Sequence, residues 1–178
     1  MNYFEFFELP KNLSIDLKDL EQRFYALSRK WHPDRFARAN AEQQQAALDS
    51  SAILNDAYRT LREPVARAEY LLSTSGIAPG DAKKVPPELL EEVFELNMAL
   101  EEARMGDSDA LARLREAQGR FQSMLEQSDR DLESDFAAWD VAHDTSVLAR
   151  LRARLNHRKY ISNLVRDTGQ ALDKHVSD

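Results

Sequence analysis

The sequence predicts an all-α protein: a helical hairpin followed, beyond a linker, by a three-helix bundle. Three observations carry this. Apolar residues recur at alternating spacings of three and four in each long segment, which lines them up on one face of a 3.6-residue helix. Gly and Pro number only 5 and 6 in 178 residues and gather at a few boundaries. Leu, Ala, Glu and Arg, all good helix formers, dominate the rest, and no strand pattern or Gly-rich phosphate loop appears.

The elements follow in order. A short helix spans Tyr3 to Glu8 and ends before Pro10. Asp16 caps the next, which carries Leu17, Leu20, Phe24, Leu27 and Trp31 as one stripe. It stops near Trp31, because Pro33 disfavours helix at His32 and has no N–H to donate. A polar loop, Asp34 to Asn40, leads to a third helix from about Ala41 with Ala47, Ser51, Leu54, Tyr58 and Leu61 on one face. These two long stripes make an antiparallel hairpin. A closing helix begins with Pro64 in its first turn and ends at Gly76.

Residues 76–88, "GIAPGDAKKVPPE", hold two Gly and three Pro and form the only clear linker. The predicted boundaries are residues 1–76, a linker at 77–86, and residues 87–178. The first part has 10 Lys/Arg against 11 Asp/Glu; from residue 77 onward there are 14 against 20. Three long helices fill the second part. The first, Pro87 to Arg104, carries Leu89, Val93, Leu96, Leu100 and Ala103. The second, about Asp109 to Phe136, carries Leu111, Leu114, Gln118, Phe121, Leu125, Ser128 and Leu132. The third, about Thr145 to Leu172, carries Leu148, Leu151, Leu155, Ile161, Leu164 and Leu172. Short polar turns, "MGDSD" and "VAHDT", join them into a bundle.

Composition excludes several functions. A net charge of −7 argues against general nucleic-acid binding, which needs a basic surface. With no Cys there is no disulfide, thiol nucleophile or thiolate metal site. The opening "MNYFEFFELP" lacks a secretory signal pattern, and no apolar run reaches membrane-spanning length. A soluble cytoplasmic protein is expected, without cofactor.

The chemically suggestive stretch is "SRKWHPDRFAR", residues 28–38. Taken alone, His32-Pro33-Asp34 reads as an exposed turn with a stiff φ and a local cap. A hydrolase built on His32 and Asp34 is disfavoured, since no activated Ser or Cys accompanies them. Metal binding is disfavoured too: His143, His157 and His175 are scattered, with no i, i+4 pair. Context raises the tripeptide above a chance turn. It sits at a hairpin tip, a basic amphipathic helix precedes it, and "NDAYRTLREPVARAEYLL" follows on the next helices.

With "NYFEFFELP", "LEQRFYALSRKWHPDRF" and "LNDAYRTLREPVARAEYL" in place, residues 1–76 resemble a J-domain, the module by which co-chaperones engage DnaK-class ATPase chaperones. The whole chain is similar to the iron–sulfur cluster co-chaperones of the HscB family. The resemblance carries through "YFEFFELP", "WHPDRF", "REPVARAEYLL" and the acidic, apolar helix after the linker. It implies an L-shaped, two-domain, non-enzymatic adaptor. Its J-domain stimulates ATP hydrolysis in a DnaK/HscA-type chaperone, and its C-terminal bundle brings an IscU-type scaffold; the alternative is a different client on the same bundle. Some relatives carry an N-terminal zinc module of paired cysteines, and its absence places this chain with the bacterial type. The chaperone-docking set implied is His32, Pro33 and Asp34 with Arg23, Arg29, Lys30 and Arg35. Pro33 limits the entropy lost on docking. Asp34 can pair bidentately with a partner Arg, and His32 can both donate and accept. The plainer reading of each cation is a solvated helix face. Many J-domains carry further basic residues mid-helix where this chain has Tyr25 and Ala26, so the patch is thinner.

The first bundle helix has more apolar residues than packing needs. Leu90, Phe94 and Met98 recur every four residues, well around the helix from the core stripe, among Glu91, Glu92, Glu95, Glu101 and Glu102. Either the buried face is broad or a charge-rimmed apolar stripe faces a partner. The resemblance assigns the scaffold surface to Leu90, Phe94, Glu95, Met98, Glu102 and Tyr160, although the family has a charged residue where Met98 stands. Tyr160 lies off its helix's main stripe and is expected as an exposed contact. The third helix is locally basic, with Arg150, Arg152, Arg154, Arg158, Lys159 and Arg166. Pairing with the acidic first bundle helix is the favoured reading over a nucleic-acid patch.

Overall fold

The computed structural model describes residues 2–80 and 85–176, with side chains through Lys174. Part of the expected linker, residues 81–84, and the His175 side chain therefore lie outside the described residues. All elements among the described residues are helical: α1 (Tyr3–Phe6), α2 (Leu17–Trp31), α3 (Ala41–Arg62), α4 (Pro64–Thr74), α5 (Leu90–Arg104), α6 (Ser108–Ala142) and α7 (Thr145–Val176). Single 3₁₀ turns occupy Pro33–Phe36 and Pro87–Leu89. No helix among the described residues is long and apolar enough to cross a membrane. Two compact units result: Met1–Ala78 with Phe136–Leu148, and Pro79–Asp135 with Ala149–Asp178.

In the first unit, the side chain of Asp16 caps α2 by accepting the N–H groups of Lys18 and Asp19, and Asn40 caps α3 by accepting from Gln43. Leu20 of α2 and Ala47, Leu54, Ala57 and Leu61 of α3 are buried, and Phe24 stacks on Tyr58 at 4.3 Å between the two helices. Leu17, expected on the buried stripe, is half exposed, since it stands in the first turn of α2. Helix α1 closes the hairpin through buried Phe4, while Tyr3 stacks on Tyr70 of α4 at 4.3 Å. Each buried Phe or Leu contributes about 1.5–3 kcal/mol, so this small set dominates the unit's stability.

The turn joining α6 and α7 also belongs to the first unit, unlike the sequence boundary. Helix α6 runs on to Ala142, past the expected end at Phe136. Its last turn grips the segment before α2. Trp139 donates its indole N–H to the Lys11 carbonyl oxygen at 2.8 Å. Both oxygens of Asp140 accept backbone N–H groups, from Leu13 at 2.6 Å and Ser14 at 2.7 Å.

The core of the second unit joins Leu89, Leu96, Ala99 and Ala103 of the first bundle segment to Leu114 and Phe121 of α6 and Ile161, Leu164 and Leu172 of α7. Arg150, Arg154 and Arg158 of α7 pair with aspartates of α6, not with the acidic α5 that the sequence suggested. Arg150 and Arg154 both reach the buried Asp135 at 2.6 Å, Arg154 also reaches Asp131 at 2.6 Å, and Arg158 pairs with Asp129. The antiparallel course of α6 and α7 makes this ladder, so these three cations belong to a structural face. Arg166, nearer the C-terminus, pairs with its neighbour Asp167 instead.

Candidate protein-interaction sites

The first candidate site is the loop after α2. Residue His32 leaves the helix at φ −62° and ψ 126°, the extended conformation that a following proline favours. Pro33 then opens the 3₁₀ turn. The His32 Nδ1 accepts the Asp34 backbone N–H at 3.3 Å. That bond places the proton of the neutral ring on Nε2, which remains the imidazole's donor. The Asp34 carboxylate lies 3.6 Å from Nδ1 and is 90% exposed. The exposed loop therefore offers a donor, the His32 Nε2–H, and an anion, the Asp34 carboxylate, side by side at the surface.

The loop is braced from both sides. Arg35 donates to the Arg29 carbonyl oxygen at 3.2 Å, and Gln44 of α3 donates to the carbonyl oxygens of Ala37 and Ala39. Trp31 stacks on Phe36, and the Lys30 ammonium sits 5.1 Å from the Trp31 ring centre. Arg29, Lys30 and Arg35 are exposed beside the tripeptide. Arg23 differs. Its Nη1 donates to the carbonyl oxygens of Phe7 and Glu8, and its Nε to Asp19. It ties α2 to the end of α1, a use that helical spacing alone does not reveal.

The second candidate site lies on α5. Leu90, Phe94 and Met98 are 56%, 65% and 47% exposed, while Leu89, Leu96, Ala99 and Ala103 are buried. The surplus apolar set is therefore a surface stripe and not a broad core face. Glu95 and Glu102 flank it, and each has a partner on α6: Arg120 lies 3.3 Å from Glu95, and Arg113 contacts Glu102. Sequence reasoning missed Arg113 and Arg120, whose seven-residue spacing on α6 was the available signal. Tyr160 of α7 is less exposed than expected. It packs against the edge of the core, and burial, then Asp167, push its phenol above the usual value. Among the described residues no group of three or more His, Asp or Glu could hold a metal ion.

Two family models match the chain: the DnaJ domain over residues 2–70 and the HSCB C-terminal oligomerisation domain over residues 85–169. Among solved structures, the chaperone HscB from Vibrio cholerae is 32% identical, with 98% of this chain and 99% of that one covered and a TM-score of 0.69. Human co-chaperone protein HscB is 24% identical over 96% of this chain and 81% of its own, with a TM-score of 0.71. The human likeness speaks to the fold alone.

Proposed function

The chain belongs to the HscB family of J-domain co-chaperones, and from that membership we propose a two-site adaptor with its docking residues assigned as follows. His32, Pro33 and Asp34, with Arg29, Lys30 and Arg35 beside them, meet the ATPase domain of a DnaK/HscA-type chaperone. Leu90, Phe94 and Met98, rimmed by Glu95 and Glu102, hold an IscU-type iron–sulfur scaffold together with Tyr160 of α7. ATP is hydrolysed in the chaperone partner; this chain is not an enzyme. Holding both partners on one molecule raises the local concentration of each near the other.

The observation that carries the reading is the exposure of Leu90, Phe94 and Met98, three large apolar side chains in a row on a helix whose other face is fully packed. A stable bundle has no use for them in water, whereas a partner that covers them removes apolar area at about 25 cal/mol per Å². Arg23 supports the tripeptide by fixing α2 and is not assigned a contact.

The test measures ATPase stimulation of the chaperone with and without scaffold. His32→Gln is expected to abolish stimulation in both conditions; retained stimulation sinks the loop assignment. Leu90→Ala with Phe94→Ala is expected to weaken scaffold binding by an order of magnitude or more, with basal stimulation intact. Full scaffold binding by that double variant would move the client to another face.

A further inference from the structure

We infer that Met98 is a reversible oxidation site: a peroxide converts its thioether to the sulfoxide, and the sulfoxide loosens the scaffold while chaperone stimulation persists. The inference rests on the assignment of the Leu90–Phe94–Met98 stripe to the scaffold and adds a redox control to that surface.

Sulfur is confined to a few places in this chain. There is no Cys, and the four methionines are Met1, Met98, Met105 and Met124, so residues 2–97 hold no sulfur. The chaperone-docking loop and its basic helix therefore offer a peroxide no thioether. Met124 is half-buried against the bundle core. Met105 is 78% exposed, but it stands at the C-terminal cap of α5, beyond the stripe. Among the described methionines, Met98 alone combines an exposed thioether with a place on the stripe. Exposure governs which thioethers an oxidant reaches.

Hydrogen peroxide balances the step. Its O–O bond breaks, one oxygen bonds to the Met98 sulfur, which gives up two electrons, and the other oxygen leaves as water. The side chain changes from flexible and apolar to polar. A partner seated on the stripe then buries an S=O acceptor among apolar groups, which is costly. The structure also offers that oxygen another place. Met98 lines a recess of about 320 Å³ between α5 and α6, together with Glu95, Arg113, Glu116 and Arg120. Arg120 lies 3.3 Å from Glu95, while Arg113 pairs with Glu102 and lies 3.6 Å from Asp107. A guanidinium has five N–H donors, and these carboxylates engage only some of them. Donors remain for a sulfoxide oxygen, whereas an apolar thioether gains little from them. Oxidation thus draws the side chain off the stripe and toward the half-polar recess.

The test treats the full-length chain with hydrogen peroxide, removes the peroxide, and locates the added oxygen by mass spectrometry before scaffold is mixed in. Oxidation at Met98 is expected to weaken scaffold binding about tenfold or more by calorimetry. The treated wild type is expected to keep its stimulation of the chaperone ATPase in the absence of scaffold. Methionine sulfoxide reductases for both epimers are expected to restore scaffold binding. Met105→Leu is expected to respond to peroxide as the wild type does. Met98→Leu, which keeps the apolar volume without the sulfur, is expected to bind scaffold equally before and after treatment. Undiminished binding by a chain oxidised at Met98, or loss of binding by treated Met98→Leu, overturns the inference. So does treated protein that carries the added oxygen at Met105 and not at Met98. Each of those results leaves the α5 assignment standing when Leu90→Ala with Phe94→Ala still loses scaffold. Full binding by that double variant overturns both.

Discussion

Arg23 donates to the Phe7 carbonyl oxygen at 3.0 Å, from the middle of α2 to the last turn region of α1. Its Nε is held by Asp19 four residues earlier at 2.9 Å, so the guanidinium is aimed before it reaches the carbonyls. Hydrogen bonds from a charged donor are stronger than neutral ones, but this side chain is about one-third exposed. Arg23→Ala is expected to cost about 1–2 kcal/mol in denaturant unfolding, with ATPase stimulation near wild type well below the melting temperature. Lys30→Ala is expected to do the reverse: unchanged melting and weaker stimulation. Loss of stimulation in Arg23→Ala at unchanged stability would make Arg23 a direct contact.

Among the described residues, three helices end with the same pair of reversed hydrogen bonds, and two of these three have the residue suited to them. After α4 the Ile77 N–H reaches the Leu72 carbonyl oxygen, with Gly76 at φ +79°; after α5 the Asp107 N–H reaches Glu102, with Gly106 at φ +89°. After α1 the Leu9 N–H reaches Phe4, yet the left-handed position is Glu8 at φ +56°. A side chain in that region costs about 1 kcal/mol relative to glycine. Glu8→Gly is therefore expected to stabilise the protein by up to about 1 kcal/mol, and Gly76→Ala and Gly106→Ala each to destabilise it by a similar amount. Thermal melts of the three single variants check the signs.

The same geometry shows what a sequence conveys. Ala47, Leu54 and Leu61, or Leu148, Leu151 and Leu155, are buried because periodicity alone selects a helix face. Gly76 marks its helix end because only its backbone is at ease there. Glu8 gives no such mark, so α1 is expected two residues too long. The end of α6 is hidden for a related reason: His143 takes φ +48° without being glycine, and Val141 is 87% exposed, so neither composition nor patterning announces the stop. Pairing is harder still. Charge counts say that the arginines of α7 need acids; whether α5 or α6 supplies them depends on helix packing. The exposed stripe of Leu90, Phe94 and Met98 was legible as a surplus, whereas the seven-residue spacing of Arg113 and Arg120 takes on meaning only once α6 lies beside α5.

Arg67 is 4% exposed, and its Nε and Nη1 make no hydrogen bond among the described residues. Burial pushes its guanidinium below the ordinary value, while the nearby charges of Asp140, then Glu63, oppose the shift. Asp140 therefore has two tasks, capping Leu13 and Ser14 and compensating a buried cation. Asp140→Asn is expected to lower stability by about 2–3 kcal/mol. In an Arg67→Met background, where no buried charge is left behind, the same change is expected to cost at least about 1 kcal/mol less. Additivity of the two substitutions in a double-mutant cycle would show that the charges do not interact.

Asp131, one carboxylate of the α6–α7 ladder, is expected to make a pH-dependent contribution to stability. The Gln127 side-chain amide donates to Asp131 at 3.0 Å, and Arg154 donates to its other oxygen at 2.6 Å. The Gln127 bond first, then Arg154, hold the Asp131 carboxyl below its usual range. A carboxyl depressed in the folded state binds its proton more readily when unfolded. Its contribution is thus complete above the unfolded value near pH 4 and is lost as the pH falls through the lower folded value. Asp131→Asn is expected to melt at a lower temperature than wild type at pH 7, with the gap closing as the pH drops below about 4. Gln127→Ala, which removes the first-named cause, is expected to narrow the gap at pH 7 while leaving the direction of the pH effect unchanged. Circular dichroism melts between neutral pH and about pH 2.5 decide it: a gap that stays constant across that range means that Asp131 does not titrate with unfolding.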